Sequence, residues 1–227
     1  MKKIALALAL AAPLPAFAQQ FTGAELSAEL SYTTGSDVFG ATSYTGAMEF
    51  QVAGPFSVAG DFSFNGYRAI DSNARNFTVH GIYDTGYDIM GGVFVGFDSF
   101  DSSDSTVYGV EGKFNMAGAS LQGFLGYAEG DRDIKMFGFD GDFSISPEIA
   151  VTGIAAYGTR DDDDLARVGF GGKYRFAQGP VAYGEIGRIS NDDGSENYLT
   201  VGARVALGYT PGTSFSRRGI ADIFRGY

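Results

Sequence analysis

Residues Thr159 to Phe170 read TRDDDDLARVGF, and the four consecutive aspartates Asp161, Asp162, Asp163 and Asp164 are the most obvious candidate chemistry in the chain. Clustered carboxylates attract hard cations such as calcium or magnesium. A calcium loop of the EF-hand type beginning at Asp161 fails, because Ala166 stands at the sixth position where glycine is needed and Gly172 at the terminal glutamate position. The run is therefore either a weak divalent-cation site or a solvated cap on a hairpin. His80, the only histidine, has Asp84 four residues on and could serve as a general base. Gly169-Phe170-Gly171-Gly172-Lys173 looks like a phosphate loop, but it falls inside a strand pattern and no helix comes after it. The absence of cysteine excludes thiol catalysis and disulfides, and a single histidine excludes His-cluster zinc sites. No organic cofactor is expected.

The elements that would hold these residues begin after MKKIALALALAAPLPAFAQQ. Lys2 and Lys3 form a positive start, Ile4 to Leu14 an apolar stretch too short to span a bilayer, and Ala16-Phe17-Ala18 an A-x-A cleavage site. Residues 1–18 thus read as a secretory signal peptide, with the mature chain starting at Gln19. Its removal takes the formal net charge from −11 to about −13, which argues against nucleic acid as a partner. Glycine (34 of 227 residues) and aromatics (15%) are both high, and no later apolar run is long enough for a transmembrane helix.

The mature chain is a succession of period-2 segments. In Tyr87–Asp98 the residues Tyr87, Ile89, Val93, Val95 and Phe97 share one face, with Asp88, Gly92, Gly96 and Asp98 on the other. Phe56–Asn65 sets Phe56, Val58, Phe62 and Phe64 against Ser57, Asp61, Ser63 and Asn65. About twelve such segments start near Gly23, Thr42, Phe56, Arg75, Tyr87, Ser105, Ala119, Asp133, Glu148, Leu165, Val181 and Glu196. Each runs about ten residues, the length of a tilted strand crossing a bilayer. Val181–Ser190 alternates poorly, since Glu185 and Arg188 have opposite parity and one of them would face lipid unless a bulge intervenes.

The connections alternate as well. Ala53-Gly54-Pro55, Thr85-Gly86, Met116-Ala117-Gly118, Ser144-Ile145-Ser146-Pro147 and Ala177-Gln178-Gly179 are short and uncharged. The others read as mostly longer and carry charge: Asp37, Arg68 with Asp71, Asp101 with Asp104, Glu129 with Asp131, Asp161–Asp164, and Asp192 with Asp193. An up-and-down barrel puts alternate connections at opposite ends. Aromatics such as Tyr32, Tyr44, Phe50, Phe56, Tyr83, Tyr108, Tyr157 and Tyr174 fall toward segment ends on the apolar face, as membrane-interface girdles do. The expected fold is all-β, a transmembrane antiparallel up-and-down barrel of about twelve strands (10–14) over residues 19–209.

On these features the mature chain resembles a Gram-negative outer-membrane β-barrel and, more loosely, the bacterial porin family. Val201-Ala203-Val205-Leu207-Tyr209 is similar to the alternating final strand, ending in an aromatic, that the barrel-assembly machinery recognises. In the family that aromatic is normally the last residue, whereas Thr210 to Tyr227 come after it here. The resemblance implies the cell outer membrane, periplasmic short turns and contact between the acidic outer loops and lipopolysaccharide; in that setting the clustered carboxylates Asp161–Asp164 either bridge to its phosphates through divalent ions or form a solvated cap. It also implies a trimer or other oligomer. The sequon Asn76-Phe77-Thr78 is discounted in such a strand.

Parity points Glu25, Glu29, Glu49, Asp61, Asp84, Asp88, Asp98, Glu111 and Asp140 inward, with His80, Lys113, Arg167, Lys173, Arg175 and Arg204. Two interiors fit. One is a hydrated pore with acids and bases in separate patches, which excess acid would make cation-preferring. The other is a lumen closed by ion pairs, since twelve strands enclose less space than the 16–18 of open porins. The segment 210–227 is expected as a periplasmic tail, and Arg217, Arg218 and Arg225 leave three placements for it: a plug in the acidic lumen, a contact with the cell wall, or no fixed structure. The leading function is a porin-like channel for small hydrophilic solutes or ions, without chemistry. A closed structural or surface-interaction barrel is the alternative, and an outer-membrane hydrolase using His80 the third.

Overall fold

The structure is a computed structural model that describes residues 20–34, 41–67, 72–101, 103–130, 133–160, 163–177, 179–192, 194–209 and 212–224. The expected signal peptide (residues 1–18), Asp37, Arg68, Asp71, Asp131, Asp161, Asp162, Gln178, Asp193 and Arg225 lie outside them.

Period-2 alternation becomes twelve strands: β1 (Gln20–Thr33), β2 (Ala41–Ala53), β3 (Phe56–Tyr67), β4 (Ser72–Asp84), β5 (Ile89–Phe100), β6 (Ser103–Met116), β7 (Ala119–Glu129), β8 (Ile134–Ser144), β9 (Ile149–Arg160), β10 (Asp163–Arg175), β11 (Val181–Asn191) and β12 (Gly194–Gly208). Each pairs antiparallel with its sequence neighbours, and β1 pairs with β12, from Gly23↔Gly208 to Thr33↔Tyr198, so the sheet closes into a barrel. Closure gives every strand two partners and leaves no edge in lipid.

The burial pattern is inverted relative to a water-soluble domain. On β3, Val58, Phe62 and Phe64 are exposed while Asp61, Ser63 and Asn65 are buried. Leu26, Leu30, Val93, Leu125, Phe170 and Ile186 are likewise exposed on the outside. An apolar exterior around a polar interior is the arrangement of a barrel solvated by lipid. Aromatic pairs ring both ends. Phe21–Phe50, Phe56–Tyr83 and Tyr174–Phe176 sit at the end with the turns after β2, β4, β6, β8 and β10, with ring centroids 5.8, 5.1 and 4.9 Å apart. Tyr108–Tyr127 and Phe137–Tyr157, each at 5.6 Å, sit at the opposite, acidic end.

One expectation about the connections is corrected. The acidic connections are not the longer set: only residues 101–102 separate β5 from β6, 161–162 separate β9 from β10, and 192–193 separate β11 from β12. Acid-bearing rim residues still join the ladder, as the pairs Asp163↔Arg160 and Asp104↔Ser99 show, because a side chain pointing into water does not oppose backbone pairing. In β11 no bulge intervenes. Glu185 faces inward, and Arg188 faces outward three residues before the strand ends at the acidic rim, where its head can reach water.

β12 stops at Gly208, whose φ of 110° and close approach to Thr22 and Gly23 of β1 exclude a side chain. Tyr209 lies outside, 88% exposed, and the described residues 212–224 lie inside the barrel. They include one helical turn, α1 (Ile220–Ile223).

Candidate functional site: the filled lumen

The inner wall divides by charge. β1, β2, β3 and β5 contribute Glu25, Glu29, Glu49, Asp61 and Asp98, and β4 contributes His80. Arg167, Lys173 and Arg175 come from β10 and Arg204 from β12. β6 carries both Glu111 and Lys113, and β8 carries Asp140 and Asp142.

The C-terminal segment lies along the acidic arc. Ser214 donates its backbone N–H and its hydroxyl to Glu49 at 2.7 and 3.0 Å, while its carbonyl accepts from Lys113 Nζ at 2.8 Å. Ser63 donates to Asp222 at 2.6 Å, and Asp98 accepts the N–H of Ile220 at 2.8 Å. Arg217 reaches Asp222 at 3.2 Å and Thr45 at 2.8 Å. Burial pushes the Asp222 carboxyl above the usual carboxylate range, against the opposing effects of Arg217 and Ser63. Toward the acidic end Phe224 (0% exposed) and Ile223 pack with Phe94, Val107, Phe124, Ala128, Ile134, Met136, Ala156 and Leu165.

A charged node lies at the centre of this contact. His80 Nδ1 is 2.6 Å from Glu111 and Nε2 is 2.7 Å from Asp61, so with both acids ionised both ring nitrogens must carry protons. Arg218 Nε donates to the other Glu111 oxygen at 2.8 Å. Two carboxylates and two cations thus compensate one another out of contact with water, as buried charges must. Phe215 lies parallel to the His80 ring at 6.5 Å. The node bridges β3, β4 and β6 across β5 because β5 presents Gly92 there. A Cβ at Gly92 would meet Phe215 at 3.0 Å and Glu111 at 3.1 Å.

Beside the segment a cavity of about 460 Å3 remains. Its walls include Glu25, Lys113, Asp142, Lys173, Arg175 and Arg204, all toward the turn end, together with Arg217 and Arg218 of the segment. Lys173 pairs with Asp142 at 3.3 Å and Arg204 with Glu25 at 3.4 Å. Arg167 is more enclosed. It pairs with Glu185 at 2.5 Å, donates to Tyr198 at 3.0 Å and binds the carbonyls of Asp222 and Ile223 at 3.1 and 3.0 Å.

Most of the sequence-predicted lining therefore meets inside the barrel: Glu49, Asp61, His80, Asp98, Glu111 and Lys113 against the C-terminal segment, and Lys173, Arg175 and Arg204 around the cavity. Two residues do not. Asp84 is exposed at the rim and accepts the N–H of Gly86 at 2.8 Å. Asp88 belongs to the turn before β5, with φ 61°, and its carbonyl accepts from Asn115. The pairing of His80 with Asp84 fails for a geometric reason. Residues four apart on one strand are about 13 Å apart, whereas cross-strand neighbours such as Asp61 are in reach. Of the four aspartates, Asp163 bonds Arg160 at 3.1 Å and the backbone N–H of Asp164 reaches Asp192 at 3.4 Å. Among the described residues no group of three or more acids or histidines gathers around a point suited to a metal.

The inner-wall partners of the C-terminal segment are not legible as a set in the sequence. Phe215, Arg218, Phe224 and Gln122 carry no periodic signal, although two adjacent arginines facing an acid-rich parity face are a hint of charge complementarity.

The chain matches no family model and no curated relative. Solved structures do match it. The NanC porin aligns over 80% of this chain and 100% of its own, with a TM-score of 0.68 at 11% identity. Its fold is that of the outer-membrane porins. The KdgM porin aligns over 81% of this chain and 99% of its own, with a TM-score of 0.62 at 11% identity. The anion-selective porin from Comamonas acidovorans covers 83% and 100%, with a TM-score of 0.51 at 10% identity. The neighbours of this porin-like barrel thus include a porin of anion preference.

Proposed function

We propose that the protein is a porin-like outer-membrane channel for small hydrophilic solutes, narrowed by its own C-terminal segment. The observation that carries this reading is the charged cavity of about 460 Å3 inside a closed, lipid-facing barrel. The turns after β2, β4, β6, β8 and β10 then face the periplasm, and the more acidic rim faces outward. Ion preference depends on which wall is wet. With the segment in place, much of the acidic arc is covered and the cavity is lined by cations and acids in near balance, so selectivity is weak. With the segment displaced, Glu49, Asp61, Asp98 and Glu111 face the lumen and cations are favoured.

The second reading, a closed barrel, draws on the sealed cluster around Phe224. Planar-bilayer recordings separate the two. The channel reading expects small current steps from the full chain and larger, cation-preferring steps from the full-length Phe224→Ala variant. Silence from both proteins at every voltage would leave the closed barrel.

A further inference from the structure

Arg218 is 1% exposed, and barrel side chains meet two nitrogens and one face of its guanidinium. Glu111 accepts from Nε at 2.8 Å, the oxygen of Gln122 from Nη2 at 3.4 Å, and the Phe124 ring lies 4.6 Å from its central carbon. Carboxylate, amide oxygen and aromatic face are the complement of a planar, delocalised cation, and they suit a guanidinium better than an ammonium.

Barrel contacts alone organise Glu111 and Phe124, and they hold Gln122 in part. Glu111 is fixed from behind by His80, which Asp61 holds in turn. Gln122 donates its amide N–H to Asp140 at 2.6 Å and to the hydroxyl of Ser216 in the segment at 2.5 Å, and its oxygen accepts from the Ser216 N–H at 3.1 Å as well as from Arg218. Phe124 packs edge-on against Phe94 at 6.4 Å. Arg217 lacks such a setting: its carboxylate partner, Asp222, belongs to its own segment. The cavity borders Gln122, Phe124 and Arg218, so a ligand in the lumen has a way to this point.

We propose that Glu111, Gln122 and Phe124 form a guanidinium-binding site in the barrel wall, filled in cis by Arg218 and able to take an arginine-type ligand when that side chain is withdrawn. The assignment goes beyond the channel reading and does not rest on it, because binding is measured without conduction.

The test uses the full chain in detergent micelles, with folding monitored by heat-modifiable electrophoretic mobility. Arg218→Ala is titrated calorimetrically with agmatine, with a short arginine-containing peptide, and with 1,5-diaminopentane as the ammonium control. Agmatine or the peptide should bind at least tenfold more tightly to R218A than to the unaltered protein, whose site is filled. The ammonium control should bind at least tenfold more weakly than agmatine. Both R218A/E111Q and R218A/F124L should lose at least tenfold of the gain. Binding of agmatine assigns the site to free solutes, and binding of the peptide alone assigns it to arginine presented on a chain. If R218A does not hold the barrel, R218K, which keeps a cation but not the plane, takes its place. No binding by either probe to a folded variant, or binding that E111Q and F124L leave unchanged, overturns the proposal.

Discussion

The two sides of the lumen use charge differently. On the acidic arc, Asp61, His80, Glu111 and Arg218 are buried and each bonds at least one of the others at 2.6–2.8 Å. On the basic arc Arg167 is also buried, against Glu185 at 2.5 Å, but toward the turn end Lys173–Asp142 and Arg204–Glu25 are longer, at 3.3 and 3.4 Å, and both lysine and arginine side chains are 32% exposed. The first geometry leaves a large penalty if one partner is lost. The second leaves little, since water replaces the partner. The buried node should therefore govern stability, and the exposed pairs at the turn end of the basic arc solute selection.

The sharpest way to break this comparison is Glu111→Ala. It strips His80 and Arg218 of a shared carboxylate and should cost about 3–5 kcal/mol, read from the urea midpoint of the folded-barrel band. A loss under about 1 kcal/mol would remove the distinction between the two arcs. Phe224→Ala comes next, at about 3 kcal/mol for a fully buried ring. Because the loss falls on the docked segment, protease should cleave residues 212–224 faster while the barrel band persists. On the basic arc, Arg204→Ala should change stability by only about 0–1 kcal/mol. Its reversal potential should nevertheless move toward cation preference, and an unchanged potential would place selection elsewhere. The smallest effect belongs to Asp163→Asn, whose side chain is 46% exposed beside Arg160. Stability should stay within about 0.5 kcal/mol and conductance should not change.

The barrel is legible in the sequence because a strand's period is short-range. Phe56, Ala119 and Val181 begin their strands at the expected residues, and the other starts differ by a few positions. Strand ends are less legible. Asp104 and Asp163 look like loop residues by type but join the ladder at the rim, and Asp88 looks like a strand residue but turns with a positive φ. Parity finds which residues face inward without finding which ones meet. It matches His80 with Asp84 on its own strand, although a strand brings together residues across the ladder. Arg218 and Glu111 are 107 positions apart, a separation that no local pattern encodes.

Gly208 has a consequence for assembly. The segment that fills the barrel hangs from β12, the strand that closes the ring against β1, and β1 begins where β12 ends, at the rim with the short turns. The filling segment therefore has no loop to thread and no wall to cross. Its partners are spread over β2, β3, β5, β6, β7 and β10, so a ring that fails to close cannot offer it the full set. A protein without cysteine or a core of the water-soluble kind in this way ties completion of its perimeter to completion of its contents. Counting chains with a protected C-terminus during refolding would then count closed seams.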